Sequence, residues 1–495
     1  MSAAGCPQHT NVKPKRVALW ALCLAFCACA HAPVNQPAQP QKHVATPAPK
    51  PLSADQRRRL HADIDAIFTS SGAQSLCIID DSGAPVYERS AMLAVAPASA
   101  QKLIVAATAL TDLGVAYQFV TTMAARERPQ NGILNGDLWL IGSADPVLVS
   151  NDLRGGVKIL QAEGLKEVRG GVRVDATFLS GPERNPRWEA SDAQYGFSAA
   201  TSAISLDQDT IEVHVSPASE GLAARVWLEP PSSIATLSGD VVTVAPGLQT
   251  TIAVNPGDEP NHFSIGGQIA ADDRKAILYV PIHGIPLYVA DVLTRMLQQR
   301  EILVAKPPGV GVAPRGMQVL WRHRSMPLDK VVAKMLFESN NHLAEQLLRT
   351  IGRVVNGVGT DRAGVVAERN FLRRRGIPRA GLNLVDGSGL SASNRSSAMT
   401  LAALLDDDRR SRGGRIYDAL PRVGVEGTVK YYRLGAARGR VRAKSGHLAG
   451  VESLAGYIAT LHSGSFAFAF LFENGEDPDA VDARITRAVE RLAEF

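Results

Sequence analysis

The chain has 495 residues, a net charge of +5, 45% hydrophobic and 20% charged residues, and only 5% aromatics. That length allows more than one domain, and the composition excludes a fibrous, collagen-like or wholly disordered chain. The basic excess is small and stacking residues are scarce, which argues against a nucleic-acid binder.

In chain order, the first feature is a basic patch, Lys13, Lys15 and Arg16, with no acid among the first thirty residues. Val17 to Ala30 follows without a charge. This run is short for a membrane span and reads as the core of a signal peptide over residues 1–30. Two endings fit. Ala28-Cys29-Ala30 is a small-x-small site, with cleavage after Ala30. Phe26-Cys27-Ala28-Cys29 is close to a bacterial lipobox, with Phe26 in place of the usual leucine and Cys29 as the lipidated residue. Residues 31–52 carry Pro33, Pro37, Pro40, Pro47, Pro49 and Pro51. They read as a stretched tether, suited to an exported enzyme held at a membrane through Cys29. Cys6, Cys23, Cys27 and Cys29 lie in this leader, so Cys77 stands alone beyond it and forms no intrachain disulfide.

The remainder reads as three stretches. In residues 53–120, Ser53 caps a helix through Ile67. Strands SLCIID and APVYERS flank the turn Asp81-Ser82-Gly83, and Pro97 opens a second helix, Ser99 to Leu113. Residues 121–284 are dominated by short alternating runs: GVRVDATFL, TIEVHVSP, ARVWLEP, VVTVAP, TTIAVN and AILYVPI. They predict a largely β insert with no fixed repeat. In residues 285–495, IPLYVADVLTRMLQQR and DKVVAKMLFES are helical. VRAKSG, SLAGYIATL and FAFAFLFEN are strands, the last two joined by a hairpin at Ser463-Gly464, and a helix runs from Asp477 to Phe495. The pattern predicts one α+β domain, built from 53–120 and 285–495 and interrupted by the insert.

Three short motifs carry chemistry. In PASAQK, Ser99 and Lys102 stand three apart, so on a helix the hydroxyl and the amine share a face. A serine becomes a nucleophile once a neighbour takes its proton, and a lysine of lowered pKa can do so. Ser339-Asn340-Asn341 lies between two helical patterns, where a second hydroxyl can relay a proton and Asn341 can hold an amide. Lys444-Ser445-Gly446 enters a strand. Its lysine and hydroxyl can hold a carboxylate, and its glycine lets a substrate backbone approach the strand edge. Each alone also reads as ordinary cap or turn chemistry. Their order is the SxxK, SxN, K[ST]G series of penicillin-binding proteins and β-lactamases.

With these motifs the chain resembles the D-alanyl-D-alanine carboxypeptidase/endopeptidase family of low-molecular-mass penicillin-binding proteins with inserted domains. GDLWLIGSADP, Asp386-Gly387-Ser388-Gly389-Leu390-Ser391, GVEGTVKYY and AKSGHLAGVESLAGY also look like that family, over residues 53–495. A compact β-lactamase has no room for the long gap between Ser99 and Ser339. The resemblance implies a serine β-lactamase/transpeptidase-like fold, an antiparallel sheet with helices on both faces. It implies a periplasmic D,D-peptidase acting on peptidoglycan stem peptides ending in D-Ala-D-Ala, acylated by β-lactams, with no metal or organic cofactor. Ser99 would attack and Lys102 would take its proton, its pKa lowered by Lys444. Ser339 would pass a proton to the leaving D-alanine, and Asn341 would orient the acyl chain. Lys444 and Ser445 would bind the terminal carboxylate, and the N–H groups of Ser99 and His447 would hold the oxyanion. Asp192, in the segment Trp188 to Phe197, would meet an amino group on the peptidoglycan side chain. Three positions depart from the family pattern: Ser445 for threonine, His447 for a small hydroxyl residue, and Ala392 for a basic one. A β-lactamase or esterase of the same fold, and an inactive cell-wall scaffold, are the competing readings.

Overall fold

The computed structural model describes residues 52–69, 72–411, 413–462, 464–473 and 475–495. The signal peptide, most of the tether and Ser463 lie outside the described residues. Among the described residues no helix is long and apolar enough to cross a membrane.

Sequence alternation builds the central sheet. Its five antiparallel strands run in the order Val441–Leu448, Val451–Ala459, Ser465–Glu473, Ala73–Ile79, Pro85–Arg89. Successive side chains of a strand point to opposite faces. In Ser465–Glu473 this sends Phe466, Phe468, Phe470 and Phe472 to one side and Ala467, Ala469 and Leu471 to the other. The phenylalanine face is covered by helices Ala54–Ile67 and Pro478–Ala493. The alanine face admits the larger helical layer, Lys102–Asp112, Leu328–Glu338, Asn341–Asn356, Asp361–Arg374 and Ala398–Ser411. Small side chains there let helices approach the sheet closely, while the rings fill the thinner layer beneath. Helix Ala54–Ile67 starts at a capping box: Gln56 N–H donates to Ser53 Oγ (3.2 Å), and Ser53 N–H to Gln56 Oε1 (2.9 Å).

The second body has its own core and a mixed sheet, Gly309–Val310, Val172–Asp175, Leu138–Ile141, Val120–Ala125, Gln318–Arg324. Further small sheets extend it, one of them Ala276–Pro281, Thr210–Ser216, Arg225–Glu229. Its limits differ from the expected 121–284. Strand Gln318–Arg324 pairs antiparallel with Val120–Ala125, and helix Ile285–Gln298 buries Ile285, Tyr288, Val289, Val292, Leu293, Met296 and Leu297 in this second core. Residues 285–324, expected in the peptidase domain, therefore pack with the insert. Their helical and strand patterns alone carried no sign of which core they face. The insert also holds a helix that its β-rich runs concealed, Ser150–Ala162. Gly155 and Gly156 broke its pattern, and Gly156 is there for space, since a Cβ would come within 2.9 Å of the Trp321 ring.

Phe468 has no exposed surface. Phe468→Ala is expected to cost about 3–5 kcal/mol of stability by chemical denaturation; a loss below about 1 kcal/mol would contradict this packing.

Candidate active site

The three motifs arrive from three parts of the body. Ser99 sits on a 3₁₀ turn, Ala98–Gln101, which feeds helix Lys102–Asp112; the sequence had placed one continuous helix from Ser99. Ala98, just before it, is held at φ +47°, a left-handed conformation uncommon for a residue with a Cβ. Two motif glycines explain how that turn is gripped. A Cβ on Gly389 would lie 1.9 Å from the Ala98 carbonyl oxygen, and one on Gly446 would lie 2.7 Å from Ser99 N and 2.8 Å from the Pro97 oxygen. Both neighbours press directly on the backbone that aims Ser99.

Lys102 joins the parts. Its Nζ is fully buried and donates to Asn341 Oδ1 at 2.7 Å and to the Ser388 carbonyl at 2.8 Å, and it lies 2.8 Å from Ser99 Oγ. The first two partners are acceptors only. A neutral amine has two N–H groups for them and one lone pair, which then faces the Ser99 hydroxyl. Burial pushes the Lys102 pKa down to about 7, against the opposing pull of the Asp386 and Glu345 charges. The family resemblance implies a lowering by Lys444, but burial is its cause. The effect of one ammonium on the other shows on Lys444, which is fully buried and held well below its ordinary value, first by burial and then by Lys102.

Helix Asn341–Asn356 begins at Asn340, whose side chain accepts from Leu343 N–H at 3.0 Å. Asn341 Nδ2 donates to the Phe197 carbonyl at 2.9 Å, so the insert fixes the other end of its amide. Ser339 caps the preceding helix at φ +56°. Its hydroxyl makes no hydrogen bond with Ser99 or Lys102 among the described residues. Lys444, Ser445, Gly446 and His447 lie on the outermost strand of the central sheet. His447 Nδ1 bonds the Glu452 carboxylate on the neighbouring strand. That bond raises the His447 pKa, against partial burial, and so favours the imidazolium. Asp192 sits half-buried on the 3₁₀ turn Ala190–Gln194 and acts electrostatically on Arg184. No hydrogen bond joins it to the three motifs among the described residues.

A supporting layer underlies them. The Asp386 carboxylate accepts from Trp188 Nε1 (2.9 Å), Gly389 N–H (2.8 Å), Ser391 N–H (2.7 Å) and Asn394 Nδ2 (2.8 Å). Glu345 accepts from Gly387 N–H (3.1 Å) and Ser388 N–H (2.7 Å). Together they set the loop whose Ser388 carbonyl meets Lys102. The sequence marks Asp386 to Ser391 only as a segment that looks like the family. It missed Glu345, Trp188 and Glu452. Glu345 is the fourth residue after Asn341 and shares its helix face, a spacing that could have found it.

A family model, the D-Ala-D-Ala carboxypeptidase 3 (S13) family, matches residues 60–494. The chain belongs to that family. A D-alanyl-D-alanine carboxypeptidase of Actinomadura sp. (strain R39) is 32% identical over 472 residues, covering 91% of this chain and 87% of that protein. The D-alanyl-D-alanine carboxypeptidase DacB of Haemophilus influenzae is 26% identical over 407 residues, covering 79% and 83%. Among solved structures, penicillin-binding protein 4 (dacB) of H. influenzae aligns with TM-score 0.74 at 22% identity, over 87% of this chain and 98% of that one. The α+β fold with its inserted body is thus that of an S13 serine hydrolase. With the family in place, the glycine contacts yield a test: Gly389→Ala is expected to slow labelling by a fluorescent penicillin about 100-fold. Labelling of the folded variant at the wild-type rate would show that this contact does not aim Ser99.

Proposed function

We propose that the protein is a serine D-alanyl-D-alanine carboxypeptidase/endopeptidase of peptidoglycan stem peptides, with Ser99 as nucleophile and Lys102 as its base. The observation that carries this is the buried Lys102 amine, set between Ser99 Oγ and two acceptors, with a pKa of about 7. Neutral Lys102 takes the Ser99 proton as Oγ attacks the carbonyl of the terminal peptide bond. Backbone N–H groups of Ser99 and His447 hold the oxyanion. The C–N bond breaks, Ser339 relays a proton to the departing D-alanine, and an ester on Ser99 remains. Asn341 orients the acyl chain. Water then attacks the ester, freeing the shortened peptide and returning the proton to Ser99 Oγ.

Lys444, Ser445 and the imidazolium of His447 take the terminal carboxylate, with Gly446 leaving room at the strand edge. Penicillins offer the same carboxylate and an amide in a strained ring, and so acylate Ser99. Asp192 meets an amino group on the substrate side chain. The chain acts in the periplasm, exported by residues 1–30, with either cleavage after Ala30 or a lipid on Cys29; the mass of the mature N-terminal peptide distinguishes them.

Lys102 must be neutral to act. The acylation rate is therefore expected to rise with pH and level off above about 7. Ser99→Ala should abolish covalent labelling by a fluorescent penicillin. A pH-independent rate in the wild type would remove Lys102 from the role of base, and labelling that persists in Ser99→Ala would remove Ser99.

A further inference from the structure

Three consecutive residues of the insert, Asp207, Gln208 and Asp209, have φ of +50°, +58° and +57°. None is glycine, and a run of left-handed residues persists only where its surroundings fix it. Here they do. The Asp207 carboxylate accepts from Ser150 N–H (3.0 Å) and from the Ser150 hydroxyl, at the start of helix Ser150–Ala162. Asp207 N–H donates to the Leu148 carbonyl at 3.1 Å. Asp209 Oδ1 accepts from Leu206 N–H at 3.0 Å, and its carbonyl accepts from Ile282 N–H at 3.0 Å.

The pinned loop reaches the residues on either side of Asn341. Asn340 Nδ2 donates to Gln208 Oε1 at 2.6 Å. His342 Nε2 lies 3.1 Å from Asp209 Oδ2 and 3.0 Å from Ser205 Oγ, and all three side chains are buried. Asn341 itself donates to the insert's Phe197 carbonyl. Three successive side chains at the head of helix Asn341–Asn356 are therefore held from the insert, and the middle one holds Lys102.

We propose that Gln208 and Asp209 are positioning residues for the Ser339–Asn341 motif, acting through Asn340 and His342, so that the insert completes the catalytic centre. This rests on the function proposed above.

Gln208→Gly gives the sharpest test. Glycine adopts φ +58° without strain, so the variant should melt at or above the wild-type temperature. Its acylation by fluorescent penicillin is nevertheless expected to slow about tenfold or more, because Asn340 loses its anchor. Gln208→Glu keeps an acceptor for Asn340 and should restore most of the rate, which a loss of stability alone would not explain. Asp209→Asn should likewise slow acylation. Gln208→Gly and Asp209→Asn both acylating at the wild-type rate would overturn the positioning role and leave the proposed function standing. A wild type that takes no label while the same penicillin labels a known family member would overturn both.

Discussion

A lysine side chain with no access to water must either find partners for its nitrogen or give up its charge. Lys102 does both, and the architecture is organised around that requirement. Its three partners come from the 3₁₀ turn just before its own helix, from the head of helix Asn341–Asn356 and from the Asp386 loop. Those segments are far apart in the chain, so the amine is satisfied only when the body has closed. Burial outweighs the nearby carboxylates and brings the pKa to about 7. The same dry pocket that makes the charged form costly leaves the amine able to take up a proton near neutral pH.

Precision in such a pocket depends on what cannot move. Gly389 and Gly446 abut the backbone around Ser99, leaving no room for a methyl group. Behind them, Ser453 Oγ donates to the Pro97 carbonyl at 2.8 Å, tying the sheet to the turn that carries Ser99. The ring face of strand Ser465–Glu473 supplies bulk beneath this, and its alanine face supplies proximity. Dispersion and apolar burial hold the layers together; close backbone contact sets the register of the reactive atoms.

Much of this was legible in the residues. The runs SLCIID, APVYERS, VRAKSG, SLAGYIATL and FAFAFLFEN marked the central strands, Ser53 and Pro97 marked helix starts, and the spacing of Ser99 and Lys102 marked a shared face. The limits of the insert were not legible, because strand pairing across a long gap leaves no trace in either strand: Gln318–Arg324 reads as a strand wherever it pairs. The support around Lys102 was hidden for a similar reason. Glu345 and Gln346 on an amphipathic helix look solvated, yet both are buried. Helix Asn341–Asn356 turns Leu343 and Leu347 to one core and its polar stripe to the insert, where Gln346 donates to the Ser202 carbonyl at 2.8 Å and Arg349 to Thr201 Oγ1 at 2.7 Å. Local pattern reports the period of a face, not what covers it.

The insert leaves and re-enters the body through strands that lie side by side, with Val120 opposite Arg324. To the backbone it is a detour whose two ends already meet, and a short link could bypass it with little loss of chain entropy. Chemistry forbids the shortcut. A bypassed chain would bare the guanidinium of Arg349, the amide of Gln346 and the imidazole of His342 along one helix, without the carboxylate, hydroxyl and carbonyl oxygens of the insert that meet them. What topology makes detachable, these polar contacts make obligatory, so trimming and regrafting this enzyme would have to carry the stretch from Ser180, whose carbonyl accepts from Arg349 Nη2 at 2.6 Å, to Asp209 along with the body.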